Sequence, residues 1–459
     1  MDVRFTQLLV RVSTQVAQDP SPDLRVESLV KGYHAYVSRV SVIGAGYVGL
    51  TTAVCLAHLG NEVRCSDVNS ERIRGLSVGT VPIMEDGLAE MMKQGLGSGA
   101  LAFSTDNAWG VEDAEFVFLC VPTPQGPNGR ANISIIERVA TEIGPHLTPE
   151  SIVVNKSTVP IGSTHIVERA LGRQDVQVVS NPEFLREGSA VQDFLHPDRI
   201  VIGADDEETA IRLSTLFLRL GAPVVVTDPA TAETIKYASN AFLATKLSFI
   251  NAIAALCEAI GADVRQVSLG MGYDPRVGSS FLKPGPGWGG SCFPKDVSAL
   301  IGLAEDAGYD FALLKGVVTV NVGQYERVVE KVLRQAGGDV QGKRVALWGV
   351  TFKARTDDIR DSPALEIARR LSELGAIVVA YDPTVSDHLD GLEVVDDPYA
   401  ACTDASVLLV ATEWDEFRWL DFEKVGSLME RRAVVDARNL LDPAAVRRAG
   451  FSYEGIGII

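Results

Sequence analysis

The chain alternates short apolar runs with stretches of helical pattern. Arg39-Val40-Ser41-Val42-Ile43 reads as a buried strand, Leu50 to Leu59 as the helix behind it, and Glu62 to Ser66 as a second strand. Phe116 to Val121 runs into Pro122-Thr123-Pro124, and Ile152 to Lys156 runs into Ser157-Thr158-Val159-Pro160. Val176 to Val179 is a further run. Apolar runs that end in hydroxyl residues fit the carboxyl edge of a parallel sheet, where ligands bind. Thr227-Asp228-Pro229 is a boundary signal with Asp228 as a candidate N-cap, and Ala230 to Ile260 then continues without Gly or Pro, predicting one long helix. The strand rhythm resumes at Gly342-Lys343-Arg344-Val345-Ala346-Leu347-Trp348-Gly349, with strands expected at Ile377 to Tyr381, Val407 to Val410 and Ala433 to Asp436.

Composition narrows this picture. A chain of 459 residues is too long for one core. An apolar content of 46% suits a globular protein with large cores. No run of eighteen apolar residues appears, so no membrane partner is expected, and Met1-Asp2-Val3-Arg4-Phe5 lacks the pattern of a secretory leader. Six cysteines are scattered without paired spacing, which argues against a metal site and for a reducing cytoplasm. A net charge of −18 makes nucleic acid a poor partner, so an anionic substrate needs a local basic site. Residues 1–38 precede the first recognisable element and read as an extension.

Gly44-Ala45-Gly46-Tyr47-Val48-Gly49 lies between the first strand and its helix. Strand, G-x-G-x-x-G, helix is the dinucleotide pattern: Gly44 for the turn, Gly46 for approach to a pyrophosphate, Gly49 for helix packing. The pattern alone is weak. Asp67 ends the second strand at the spacing of an acidic ribose ligand, which favours NAD over NADP; an ordinary strand-end turn is the other reading. The fold class is therefore α/β, with two Rossmann-like parallel-sheet domains joined by a long central helix.

Phe281-Leu282-Lys283-Pro284-Gly285-Pro286-Gly287-Trp288-Gly289-Gly290-Ser291-Cys292-Phe293-Pro294-Lys295-Asp296 is the stretch richest in chemistry. Four glycines within it permit turns with positive φ and the approach of another molecule. A helix running from Pro294 through Leu303 would set Cys292 at its N-terminus, where the dipole favours a thiolate, with Lys295 and Asp296 in the first turn. Upstream, Asn181-Pro182-Glu183-Phe184-Leu185-Arg186-Glu187 places two carboxylates four apart, expected on one face of a short helix; a solvated charged turn fits equally well. Lys236 and Asn240 are also four apart. Asn251 and Glu258, further along the same helix, carry no assigned chemistry.

These motifs resemble those of the UDP-glucose/GDP-mannose dehydrogenase family from about Ser38 to about Asp442. The match is carried by Phe281-Leu282, by Gly287-Trp288-Gly289-Gly290-Ser291-Cys292-Phe293-Pro294-Lys295-Asp296, by Asn181-Pro182-Glu183-Phe184-Leu185, and by Lys236 with Asn240. Trp288 departs from the family's more frequent phenylalanine. The resemblance implies an NAD-binding domain at 39–227, a central dimerising region with the cysteine loop at 228–330, and a UDP-sugar domain at 331–459, with the active site in a cleft. It implies that Gly44, Gly46, Tyr47, Val48, Gly49, Asp67, Arg72, Thr123, Thr158, Glu187, Lys295 and Arg360 serve the cofactor. Glu183, Phe184, Leu185, Lys236, Asn240, Arg276, Phe281, Leu282, Gly289, Lys353 and Arg438 would serve the substrate, with Lys353 and Arg438, expected at strand ends, on its diphosphate.

The implied reaction is a four-electron oxidation of UDP-glucose to UDP-glucuronate. Asp296 with a water is the implied base, Lys236 and Asn240 steady the oxyanion, Cys292 is the nucleophile, Glu183 the hydrolytic base, and Thr158 a water ligand. From the residues alone, Thr123 and Thr158 read equally as turn threonines, and Lys353 and Arg438 as surface cations. Three rivals stand beside this reading: a dehydrogenase of another nucleotide sugar such as UDP-N-acetylmannosamine, a single-step β-hydroxyacid dehydrogenase, and a nucleotide-binding regulator without turnover.

Overall fold

A computed structural model describes residues 37–124, 126, 132–386, 389 and 391–458. Residues 1–36, nearly all of the expected extension, lie outside them. The chain divides into two compact units, the first ending at Tyr237 and the second beginning at Ala238.

The first unit is built on β1 (Arg39–Ile43), β2 (Glu62–Ser66), β3 (Leu101–Ser104), β4 (Phe116–Leu119), β5 (Ile152–Asn155), β6 (Gln177–Ser180), β7 (Ile200–Gly203) and β8 (Val224–Thr227). Their order in the sheet is β3-β2-β1-β4-β5-β6-β7-β8. The first six strands give the doubly wound arrangement whose order reverses between β1 and β4, where ligands bind. All pairs are parallel except β6 with β7. The apolar run of β4 is explained by burial on both faces. Phe116 and Phe118 enter one core, and Val117 and Leu119 enter the other. Helix α1 (Tyr47–His58) packs its Leu50, Ala53, Val54 and Leu56 into the first of these.

The second unit repeats the plan. Strands β9 (Arg344–Trp348), β10 (Ile377–Tyr381), β11 (Glu393–Val394), β12 (Ala405–Val410), β13 (Ala433–Asp436) and β14 (Ser452–Gly455) lie in the order β11-β10-β9-β12-β13-β14, all parallel. Here too a central apolar strand splits by period two: Val407 and Leu409 face one core, Leu408 and Val410 the other.

Helix α2 (Pro229–Ile260) is the long helix expected from the sequence. Asp228 caps it, its carboxylate accepting the Thr231 N–H at 2.9 Å. Ile250, Ala254 and Cys257 sink into the second unit's core, while Phe242, Phe249 and Leu256, seven residues apart, stay exposed. Among the described residues this is the one helix long and apolar enough to cross a membrane. The second unit also holds α3 (Phe293–Asp306), α4 (Ala312–Gln335) and α5 (Pro363–Glu373).

One local expectation is corrected. Glu183 and Glu187 do not share a helix: residues 181–186 are irregular and Glu187 lies in a turn. Pro182 disfavours helix at Asn181, and the Glu183 carboxylate folds back to accept the Leu185 N–H at 2.6 Å.

Candidate active site

In the first unit the turn after β1 is built as the fingerprint requires. Gly44 has φ +98°, and a Cβ there would lie 2.7 Å from the Cys120 carbonyl oxygen. A Cβ on Gly49 would lie 1.7 Å from the Gly44 carbonyl oxygen, so only glycine lets α1 sit this close to the strand. A Cβ on Gly46 would meet no atom within 4 Å, which leaves open space at the helix N-terminus, a place suited to an anion. Asp67 ties this turn to β2: one carboxylate oxygen accepts the Ala45 N–H at 2.8 Å and an Arg72 N–H at 3.1 Å, the other the Asn69 N–H at 2.9 Å. The residues thus fit NAD.

Tyr47, at the first position of α1, accepts the Gly188 N–H and donates to the Arg186 carbonyl, tying the helix to the turn that carries Glu187. Val48 packs against the core. Thr123 donates to the Thr158 carbonyl at 2.7 Å, joining the loops at the carboxyl ends of β4 and β5.

A buried charge cluster lies at the same sheet edge. Lys236 donates to the Glu183 carboxylate at 2.8 Å and to its carbonyl at 2.7 Å, and both side chains are nearly inaccessible. Burial alone would raise the Glu183 pKa. The Lys236 charge and hydrogen bond, the Leu185 N–H and the Lys156 charge outweigh it and hold the carboxyl below its usual range. Phe184 presents its ring to the Arg199 guanidinium at 3.5 Å and to Lys236 at 5.5 Å. Leu185 packs against the core.

In the second unit Cys292 is the N-cap residue of α3, half-buried, with Ser291 Oγ 3.6 Å from its Sγ. Asp296, one turn along and 0% exposed, accepts from the Asn240 amide at 2.6 Å and from Lys295 at 2.8 Å. Asp296 is thus a buried carboxylate held by a cation and an amide in the first turn of the helix that Cys292 caps. Phe281, at φ 62°, and Trp288 flank Phe293, with ring centroids 6.4 Å away in each case. Leu282 is buried.

The loop glycines serve a purpose the sequence did not suggest. A Cβ on Gly289 would lie 1.9 Å from the Asp361 carbonyl oxygen, and one on Gly290 would press the Phe352 ring at 2.8 Å. The molecule that comes close is therefore this chain's own loop after β9, also joined by the Gly290 N–H to the Arg360 carbonyl. Trp288 is pinned by Ser248 and Asn321, and Gly285 by Asn251 and Gln324. Asn251 thus buttresses the cysteine loop. Its one sequence signal is a polar residue on an apolar helix. Glu258, with Lys331 at 2.7 Å, ties α2 to α4.

Lys353 lies within the loop after β9, with its ammonium 5.4 Å from the Phe352 ring, and not at the strand's end as expected. Arg438 follows β13 and donates to the carbonyls of Ala411 and Phe352, both at 2.8 Å, with Glu413 at 3.0 Å. Arg360 forks onto Asp358. Arg276 is 88% exposed and pairs with Asp274.

Three family models match the chain in succession: the NAD-binding domain of the UDP-glucose/GDP-mannose dehydrogenase family at residues 38–220, its central domain at 230–322, and its UDP-binding domain at 346–443. The chain belongs to the UDP-glucose/GDP-mannose dehydrogenase family. It is 44% identical over 434 residues to the UDP-glucose 6-dehydrogenase of Rhizobium meliloti (strain 1021), covering 91% of this chain and 99% of that one. Among solved structures it is similar to a UDP-glucose dehydrogenase from Pyrobaculum islandicum, at 38% identity and TM-score 0.85 over 92% of this chain and 98% of that one. It is also similar to a UDP-D-ManNAc dehydrogenase from Pyrococcus horikoshii, at 26% identity and TM-score 0.82 over 91% and 99%. The family therefore brings an oxidoreductase that uses NAD and a domain for a UDP-sugar, and the two sheets described above correspond to the two nucleotide-binding matches.

Proposed function

We propose that this protein oxidises UDP-glucose to UDP-glucuronate in two successive two-electron steps. The observation that carries this reading is Cys292 at the N-terminus of α3, one turn ahead of the buried Asp296. An aldehyde has no second hydride to give until a nucleophile makes its carbon tetrahedral, and a cysteine meets that need. Two NAD molecules, bound in turn, would each accept one hydride.

Asp296, through a water that Thr158 also holds, takes the proton of the C6 hydroxyl as the alcohol becomes an aldehyde. The Cys292 sulfur then bonds to C6, and the carbonyl oxygen takes up a proton, giving a thiohemiacetal. Lys236 and Asn240 stabilise negative charge on that oxygen. Loss of the proton from oxygen and of hydride from C6 leaves a thioester. Glu183 then takes a proton from a water that attacks C6. The carbon–sulfur bond breaks, and the acid and the free thiol result. Gly44, Gly46, Tyr47, Val48, Gly49, Asp67, Arg72, Thr123, Glu187, Lys295 and Arg360 are assigned to the cofactor. Phe184, Leu185, Arg276, Phe281, Leu282, Gly289, Lys353 and Arg438 are assigned to the substrate, the last two to its diphosphate.

The functional division runs 39–227 for NAD, 228–330 for the centre and 331–459 for the UDP-sugar. The exposed Phe242, Phe249 and Leu256 stripe supports a homodimer formed along α2. A soluble, cytoplasmic protein fits the buried Glu233 and Lys236 on that helix. The likeness to a UDP-D-ManNAc dehydrogenase keeps an N-acetylated sugar as the second reading.

The test is a panel of UDP-glucose, UDP-N-acetylmannosamine, UDP-N-acetylglucosamine, UDP-galactose and GDP-mannose, read by NADH and acid formed. UDP-glucose with the highest kcat/KM and two NADH per acid is expected. One NADH per product would overturn the two-step reading, and a preference for UDP-N-acetylmannosamine would overturn the substrate.

A further inference from the structure

Lys156 has no part in the reaction as drawn, yet it is buried beside the residues that do. It follows β5, is 6% exposed, and donates to the Asn181 side-chain oxygen at 3.0 Å. The Asn181 amide in turn donates to the Val201 carbonyl at 2.7 Å, and its backbone N–H to the Asn155 carbonyl at 3.0 Å. Asn181 therefore fixes the start of the segment that carries Glu183, Phe184 and Leu185. The Lys156 ammonium also lies within electrostatic reach of Glu183, Lys236 and Cys120. Burial pushes the Cys120 thiol up to about 12, so it stays neutral and cannot balance the lysine.

A buried ammonium needs a reason to persist, because taking it out of water is costly unless a counter-charge is near. Glu183 is the carboxylate available to it. Lys236 is already bonded to Glu183 and is also assigned to the substrate oxyanion, so its charge is shared between the two and the buried carboxylate has less of it. We propose that Lys156 is a positioning residue for Glu183. It is a second buried cation that keeps this carboxylate ionised for the hydrolytic step, and through Asn181 it anchors the segment that presents it. The inference rests on the role assigned to Glu183 above. Burial pushes the Lys156 ammonium down to about 8, so it keeps its charge at neutral pH.

The test uses the full chain as wild type, Lys156→Gln, Lys156→Arg and Asn181→Asp. Gln keeps a donor for Asn181 but removes the charge. Arg keeps the charge. Asp is isosteric with Asn and sets a negative charge against the lysine, at the loss of the donor to Val201, so the position of the limb and not the rate is its readout, and it serves if Lys156→Gln does not fold. With UDP-glucose and NAD, thioester hydrolysis is followed in single turnover across pH, and the adduct on the Cys292 peptide is followed by mass. In Lys156→Gln and Asn181→Asp the acid limb of hydrolysis should move up by roughly one pH unit, with the adduct accumulating below it. Lys156→Arg should keep the wild-type limb. If Gln and Asp variants hydrolyse more slowly at every pH with the limb unmoved, Lys156 only packs, and the inference fails. If Glu183→Gln, with hydrolysis blocked, forms no Cys292 adduct, the proposed reaction fails, and this inference fails with it.

Discussion

The two sheets share one plan but differ in the turn that follows the central strand. In each, a central strand ends in a glycine with positive φ, Gly44 at +98° and Gly349 at +89°. In each, the neighbouring strand ends in an aspartate that accepts the N–H just after that glycine: Asp67 from Ala45, Asp382 from Val350, both at 2.8 Å. The resemblance stops at the helix. After β1, α1 starts at once with Tyr47, so its N-terminal N–H groups face the turn. After β9, a long loop carrying Lys353, Arg355 and Arg360 intervenes before α5 begins at Pro363. The first sheet offers a helix N-terminus at this turn, a place suited to phosphate, and the second offers side-chain cations instead. Asp382 differs from Asp67 as well. It is enclosed by further bonds from Thr351, Thr384 and Trp414, and its acceptors are spent inside the fold. Same topology, different first turn, different ligand.

The largest effect is expected at the tightest contact. Gly49→Ala should cost about 3 kcal/mol or more of stability, since its Cβ would overlap a backbone oxygen that cannot move alone. Gly46→Ala, in open space, should leave thermal unfolding near wild type while raising the KM for NAD. Equal melting temperatures for the two variants would remove the distinction between a packing glycine and a ligand glycine.

The aspartates give the next contrast. Asp382→Ala leaves several buried donors unpartnered and should lower stability by about 2 kcal/mol, with the NAD/NADP preference unchanged. Asp67→Ala should do the reverse, narrowing that preference by roughly tenfold through loss of one charge-assisted bond and one repulsion. Measured kcat/KM ratios for the two cofactors decide it; an unchanged ratio in Asp67→Ala would break the comparison. The smallest effect belongs to Lys353→Ala. It should raise the KM for the nucleotide sugar about fivefold, worth about 1 kcal/mol, and leave the KM for NAD alone.

Much of this was legible in the chain because it is local. The G-x-G-x-x-G turn, Asp67 at its strand end, the long α2 and the helix start at Cys292 each follow from residues within a few positions. What was not legible depends on partners far apart in sequence. Asn251 and Gln324 reach the cysteine loop from two helices, Lys156 meets Asn181 across neighbouring strands, and Asp382 collects donors from three segments. A single polar residue in an apolar run announces burial but not its partner. The helix expected over Glu183 and Glu187 failed for a related reason: spacing of four is helical only if the backbone is, and Pro182 with the Lys236 contact held it otherwise.

The central claim is that Cys292 carries the substrate as a thioester that Glu183 releases. Glu183→Gln mixed rapidly with UDP-glucose and NAD, then quenched, tests it most directly. A burst of about two NADH per active site is expected, with a sugar-nucleotide adduct on the peptide that contains Cys292. An adduct on any other residue, or acid formed at near wild-type rate by Cys292→Ala, would contradict it.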